Sequence, residues 1–284
     1  MSPNKNSSPV WFITGCSTGL GRALAERVLQ AGHRCVVTAR DAAQVGDIVA
    51  AYPQTSLAVA LDVTKQAQRD QAVARAETVF GGIDVLVNNA GYGYLAAVEE
   101  GEDSEVRAMF ETNFFGIAAL LRLVLPSMRE RGSGHIINIS SIGGLLGNPG
   151  VGYYNATKFA LEGLTEALAL EVGPHGIRVT LIEPGPFRTD WAGRSLRVVK
   201  TPMDAYAETF GVRRAQMLAN AGRQAGDPVR AADAIIKVVE SSNPPLHLLL
   251  GRNGLERVRE KLDNLKRSID EWEDVTLSAD FPAR

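Results

Sequence analysis

Tyr154 and Lys158 lie four residues apart, the spacing that puts two side chains on one face of a helix. A free tyrosine titrates at about 10, too high to serve as a base near neutrality. An ammonium beside it favours the phenolate, so the pair reads as a proton donor and acceptor. Tyr153 is the adjacent competitor, but the residue four further on is Thr157, which carries no charge. Ser141, thirteen residues before Tyr154, supplies a hydroxyl able to bond an oxygen on which charge develops, and Ser140 beside it offers the same group.

A second chemical feature is the turn Thr14-Gly15-Cys16-Ser17-Thr18-Gly19-Leu20-Gly21, set between an apolar run and a segment of helical spacing. Glycine lets the backbone turn tightly and come close to a ligand without a Cβ in the way. The helix that follows presents unpaired N–H groups and a positive dipole end, which suit a pyrophosphate. The spacing is G-x-x-x-G-x-G, not the more usual G-x-G-x-x-G.

The elements that must position these residues alternate in type. Apolar runs at Val10–Thr14, Cys35–Ala39, Leu57–Leu61, Val85–Val87, Ile136–Ile139, Val179–Ile182 and Leu246–Leu250 read as strands. Helical spacing covers Gly21–Ala31, Ala67–Phe80, Glu105–Met128 (with Pro126 set to kink its end), Asn155–Val172 and Val229–Val239. Strands that are continuously apolar and alternate with helices imply an α/β fold, a parallel sheet covered on both faces.

Composition fits one folded domain. The chain has 284 residues, 45% hydrophobic and 22% charged, with a net charge of −2, so no basic excess points to a nucleic acid. Cys16 and Cys35 are too few for a disulfide framework and read as small buried side chains in a reducing compartment. Met1–Ser8 lacks the apolar core of a secretory signal, and no stretch approaches the roughly 20 apolar residues of a membrane span. These features lead us to expect a cytoplasmic protein with no membrane partner.

Taken in order, the glycine turn, Asp62-Val63, Asn88-Asn89-Ala90-Gly91, Asn113, Ser141, Tyr154 with Lys158, and Pro184-Gly185 followed by Thr189 make the chain resemble the short-chain dehydrogenase/reductase family. The resemblance runs from about Val10 to about Gly251. It implies a Rossmann-type doubly wound parallel sheet, in one catalytic domain over 9–284, with a substrate lid over 190–227 and a C-terminal helical extension over 252–284. It implies an oxidoreductase that moves a hydride between a nicotinamide cofactor and an alcohol or carbonyl, with Asn113, Ser141, Tyr154 and Lys158 catalytic. Family spacing selects Ser141 over Ser140, and Asn113 would hold a water next to Lys158 on a proton path. The cofactor would meet Gly15, Ser17, Thr18, Gly19, Leu20 and Gly21 in the turn. Beyond the turn it would meet Arg40, Asp62, Val63, Asn89, Ala90, Gly91, Tyr154, Lys158, Pro184, Gly185, Phe187 and Thr189. The family also forms homodimers and homotetramers through the two long helices.

The position that holds an acid in NAD-preferring relatives carries Ala39, followed by Arg40. Arginine can pair with a 2′-phosphate, so NADP(H) is favoured; Asp41 and the lack of a basic residue in the glycine turn leave NAD(H) open. Trp191, Met203, Tyr206, Phe210 and Met217 in the lid, with Phe187 and Tyr92-Gly93-Tyr94, suggest a pocket for an apolar alcohol or ketone. Beyond the last strand, Leu255, Val258, Leu262, Leu265, Ile269 and Trp272 recur at steps of three and four, an amphipathic helix expected to pack on its own subunit. His135, His175 and His247 show no metal-ligand spacing, so no metal site is expected. The alternative to an enzyme is a nicotinamide-binding sensor or scaffold without turnover, a class that typically loses part of the tyrosine-lysine-serine set retained here.

Overall fold

A computed structural model describes residues 8–281; the first seven residues of the polar opening and residues 282–284 of the extension lie outside the described residues. In chain order the elements are β1 (Val10–Ile13), α1 (Gly19–Gln30), β2 (Arg34–Ala39), α2 (Gly46–Ala51), β3 (Ser56–Ala60), α3 (Gln66–Phe80), β4 (Val85–Asn88) and β5 (Gly93–Leu95). There follow α4 (Asp103–Phe110), α5 (Gly116–Arg131), β6 (Gly134–Ile139), α6 (Gly152–Val172), β7 (Ile177–Pro184) and β8 (Leu196–Val198). The chain ends with α7 (Val212–Ala219), α8 (Pro228–Glu240), β9 (His247–Leu250), α9 (Arg252–Glu271) and α10 (Glu273–Leu277).

Seven strands form one parallel sheet in the order β3-β2-β1-β4-β6-β7-β9. Side chains of β1 show why its run is apolar throughout. Trp11 and Ile13 enter the core shared with Leu24 and Val28 of α1 and Ile235 of α8. Phe12, pointing the other way, meets Leu120 and Val124 of α5 and Leu161 of α6. Both faces are therefore buried, as the expected doubly wound fold requires. The chain runs outward from β1 through β2 to β3, then returns to place β4 on the other side of β1. The crevice outside the carboxyl ends of β1 and β4 is thus the switch point of the sheet, where ligands of such folds bind.

Several elements differ from the sequence reading. The helix expected over Glu105–Met128 is broken by a π-helical turn at Glu111–Phe115, while Pro126 sits inside α5 and does not end it. The combined run Asp103–Arg131 is long and apolar enough, with a mean hydropathy of 1.5 in its most apolar stretch, to cross a membrane; this corrects the expectation that no stretch comes near. Its apolar face is spent on the sheet, through Ile117, Leu120, Leu121, Val124 and Met128. α6 begins at Gly152, not Asn155, which puts Tyr154 in its first turn. The short parallel pair β5–β8, absent from the sequence reading, ties the segment 190–227 to the body.

Cys16 and Cys35 are buried and free, as their reading required. The extension departs from its reading. Within α9 only Gly254 and Val258 are buried, Val258 against Ile142 and Leu146, while Leu262, Leu265, Ile269 and Trp272 are exposed. The first turns dock on the body, but the rest of the apolar stripe is left uncovered, because the helix runs past the edge of the core.

Candidate active site

The glycine turn closes under the switch point. Gly15 and Gly19 take positive φ, +73° and +64°. A Cβ at Gly15 would stand 3.1 Å from the Ala90 Cα, so the turn can approach the end of β4 only without one. α1 begins directly at Gly19, and its N-cap residue, Thr18, makes no side-chain capping bond and is followed by no acid in the first turn. Those uncapped amides and the cradle above them fit a pyrophosphate. Asn89 holds the turn: its Nδ2 donates to the Thr14 carbonyl at 2.8 Å and to that of Gly15 at 3.1 Å.

A cavity of about 1060 Å³ opens from this turn. Its wall takes in Gly15, Ser17, Thr18, Gly19 and Leu20, then Arg40, Asp62 and Val63 at one end and Asn89, Ala90 and Gly91 below. Ser141, Tyr154 and Lys158 form its far side, and Pro184, Gly185, Phe187 and Thr189 its cover. Two expected residues stand behind this wall. Gly21 faces inward, where a Cβ would collide with the Asn89 amide and the Gly15 carbonyl, so it packs the turn and does not line the cavity.

Asn113 is the other. It lies in the π turn, fully buried, with Oδ1 accepting from Tyr92 N at 3.0 Å and Nδ2 donating to Tyr92 O at 2.9 Å and Thr157 Oγ1 at 3.2 Å. The Thr157 hydroxyl in turn donates to the Tyr154 carbonyl at 2.8 Å. The Asn113 side chain is thus occupied in tying the loop after β4 to the Tyr154 turn of α6. The wider π turn aims it there.

Tyr154 and Lys158 are both buried. The Lys158 Nζ donates to the Ile139 carbonyl at the end of β6, at 2.8 Å, and lies 5.7 Å from the centre of the Tyr154 ring. Burial pushes the lysine down to about 8, with Glu162 one turn on opposing that shift. Burial also pushes the Tyr154 phenol up to about 12, and the Ser141 hydroxyl draws it back. The expected lowering by lysine does not offset this rise: burial sets its direction, and the Ser141 hydroxyl is the group that opposes it. Ser141 also caps the short turn after β6, its Oγ accepting from Gly143 N at 3.0 Å.

At the end of the cavity beside β2, Arg40 is exposed on the wall. Asp41, the residue that left NAD(H) open, has its carboxylate engaged as a helix cap, accepting from Ala43 N at 3.0 Å. Asp62 likewise accepts from Thr64 N at 2.9 Å and Thr64 Oγ1 at 2.7 Å. Trp191 stacks edge-on against Tyr154 with ring centres 5.4 Å apart, and Met217 and Tyr92 join the wall. Tyr94 is buried beneath it, correcting the expectation that it lines the pocket; Phe210 packs on Gly150, and Met203 is exposed.

Behind Ser140 lies a group the sequence did not disclose. Ser140 donates to Glu162, and Glu162, Glu183 and His247 bring donor atoms within 4.8 Å of one another. His247 Nδ1 meets Glu183 at 2.7 Å. Burial raises both carboxyls, Glu162 to about 7. Eighty-five residues separate Glu162 from His247 (247 − 162 = 85), so no local motif signals the set. His135 bonds Thr180 at 3.0 Å inside the sheet, and burial lowers it to about 4.

The chain is similar to several known proteins. The family model described as short chain dehydrogenase matches residues 9–197. An oxidoreductase, BOA17, of Botryotinia fuckeliana is 38% identical over 95% of this chain and 98% of its own. A 3-ketodihydrosphingosine reductase of Bacteroides thetaiotaomicron is 38% identical over 84% of this chain and 87% of its own. Among solved structures, a short-chain dehydrogenase from Streptomyces avermitilis superposes with a TM-score of 0.90 at 42% identity, covering 96% of this chain and all of its own. Two others are 25% identical: one from Burkholderia phymatum in complex with NAD, TM-score 0.82, covers 93% of this chain and 96% of its own. The other, from Burkholderia cenocepacia in complex with NADP, TM-score 0.73, covers 93% and 97%.

The raised Glu162 carboxyl makes stability depend on pH. Its proton is bound more tightly in the folded chain, so its contribution is complete below the ordinary carboxylate range and lost as pH rises through about 7. The thermal midpoint of the wild type should therefore fall between about pH 5 and about pH 8. Glu162→Gln, which keeps an oxygen for Ser140 and places an amide where the proton sat, should flatten that fall. It should raise the midpoint at the upper pH by about 2–4 °C for each kcal/mol relieved. Equal slopes in the two proteins would show that the carboxyl is not held protonated.

Proposed function

The chain belongs to the short-chain dehydrogenase/reductase family, and on that premise we propose that it transfers a hydride between NADP(H) and the carbon of an alcohol or ketone, with Tyr154 donating and accepting the proton. The observation that carries this reading is the convergence of Ser141, Tyr154 and Lys158 on the cavity that also takes in the glycine turn. The nicotinamide, when bound, supplies or takes the hydride. Gly15, Ser17, Thr18, Gly19 and Leu20 would hold the pyrophosphate, and Asp62 and Val63 the adenine. Arg40, beside Ala39 and followed by Asp41, whose carboxylate is turned to Ala43 N, favours a 2′-phosphate.

In reduction, Tyr154 gives its phenolic proton to the substrate oxygen while the Ser141 hydroxyl bonds the same oxygen. The Lys158 ammonium stabilises the phenolate left behind, which counters the burial that otherwise disfavours it. Tyr92, Val151, Trp191 and Met217 give the substrate region an apolar wall, which supports a substrate with an apolar body.

One set of assays tests the reading: NADPH and NADH oxidation with a panel of apolar ketones, in the wild type, Tyr154→Phe and Arg40→Asp. Tyr154→Phe should lower kcat by about 10²–10⁴-fold while NADPH still binds. Arg40→Asp should cut the preference for NADPH over NADH by about tenfold or more. Equal kcat in wild type and Tyr154→Phe would remove Tyr154 from the mechanism, and an unchanged cofactor preference would remove Arg40 from the phosphate site.

A further inference from the structure

Four arginines reach the substrate side of the cavity, and they are not equivalent. Arg194 is paired with Asp190 at 2.9 Å, and Arg197 is paired with Glu105 and lies over the Tyr92 ring. Arg213 and Arg257 have no carboxylate within 4.0 Å among the described residues; instead both converge on one neutral oxygen, Asn148 Oδ1, at 3.1 Å and 2.5 Å. Each lines the cavity, and the Arg213 Nε is buried without a partner. Two guanidiniums pointed at one amide oxygen repel each other, and an unpartnered buried N–H is costly to keep. The repulsion shows on Arg213, which burial and the neighbouring Arg257 push below the usual guanidinium range.

Three separate elements build this cluster. Arg213 comes from α7 of the lid. Asn148 comes from the loop between β6 and α6, where its backbone N donates to the Asn155 side chain, next to Tyr154, at 2.9 Å. Arg257 comes from α9. The start of that helix is fixed: Gly254 sits against Gly185, where a Cβ would meet Ile142 at 2.9 Å, and Val258, next to Arg257, is buried with Ile142 and Leu146. The docked turns of the extension therefore deliver a guanidinium to the cavity wall, although the rest of the helix covers nothing.

From this we infer that the cavity recognises a substrate with an anionic head group, a carboxylate or phosphate monoester, bound by Arg213 and Arg257 while its apolar body lies along Trp191 and Tyr92. An anion there would satisfy the free donors, separate the like charges and close the lid onto the extension, in the forked geometry that suits arginine. The inference rests on the reading of this cavity as the substrate site.

Calorimetry with inert probes tests it without turnover. The full chain, with NADPH, is titrated with 4-phenylbutyrate, 3-phenylpropyl phosphate and neutral 4-phenylbutanol, and the titrations are repeated on Arg213→Met and Arg257→Met. At least one anion should bind about tenfold or more tightly than the alcohol, and each substitution should remove most of that difference. The stronger of the two anions identifies the head group. Equal affinity for acid and alcohol, no anion binding, or a preference that survives both substitutions would overturn the inference. A parallel loss of NADPH affinity would also overturn it, because the arginines would then serve the cofactor. In a second arm, NADPH oxidation with 4-oxo-4-phenylbutanoate is compared with that of its methyl ester. No reduction of either ketone, alongside arginine-dependent anion binding, would count against the reductase reading and leave the anion site standing.

Discussion

The site depends on keeping a lysine ammonium almost out of water. Lys158 is 5% exposed, and a buried charge must be matched or it is neutralised. The match comes from the last carbonyl of β6, Ile139, which accepts from the Lys158 Nζ at 2.8 Å. That geometry requires α6 to lie at one register on the sheet. A buried polar chain holds it there: Asn88 of β4 donates to Asn138 of β6 at 2.8 Å, Asn138 to Thr165 of α6 at 2.9 Å, and Thr165 back to Leu161 O at 2.6 Å. Ser140, bonded to Glu162, fixes the same strand end from the other side. Slipping the helix would break all of these together, and a partly satisfied buried network costs more than an apolar one.

From this anchored helix the rest follows in space. Tyr154 is placed one turn before the lysine, Ser141 one residue beyond the tied strand end, and Asn113 links the Tyr154 turn to the loop after β4. Asn89 carries that loop to the glycine turn. The two halves of the site, one suited to phosphates and one to proton transfer, are thereby joined through buried hydrogen bonds. Residues 190–227 and the extension close the other end of the cavity, where Trp191 and Met217 stand beside Arg213 and Arg257.

The sequence disclosed what is local. The i, i+4 spacing of Tyr154 and Lys158, the glycine turn before α1 and the apolar strand runs each sit within a few residues, and the fold and the cavity wall formed as those patterns implied. Roles that depend on distant partners were hidden. Asn113 reads as a residue near Lys158, but the bonds of its amide to Tyr92 and Thr157 join segments far apart in the chain. Gly21 reads as part of the phosphate cradle, but its missing side chain makes room for Asn89. Arg213 and Arg257 meet over Asn148 from three distant segments, and His247 finds two carboxylates from other elements. The stripe on α9 was visible, but periodicity gives a face and not the surface that covers it.

Burial lowers Lys158 and raises Tyr154, and in the proposed mechanism the charge that Lys158 keeps eases the loss of the Tyr154 proton. The pH dependence of kcat/KM for ketone reduction by the wild type, from about pH 6 to about pH 10, tests it most directly. The expected profile is a level plateau that falls, with loss of one proton, through about 8, as the buried ammonium is neutralised and the phenol becomes a weaker donor. A profile that stays level until the ordinary lysine range at about 10.4 would contradict it.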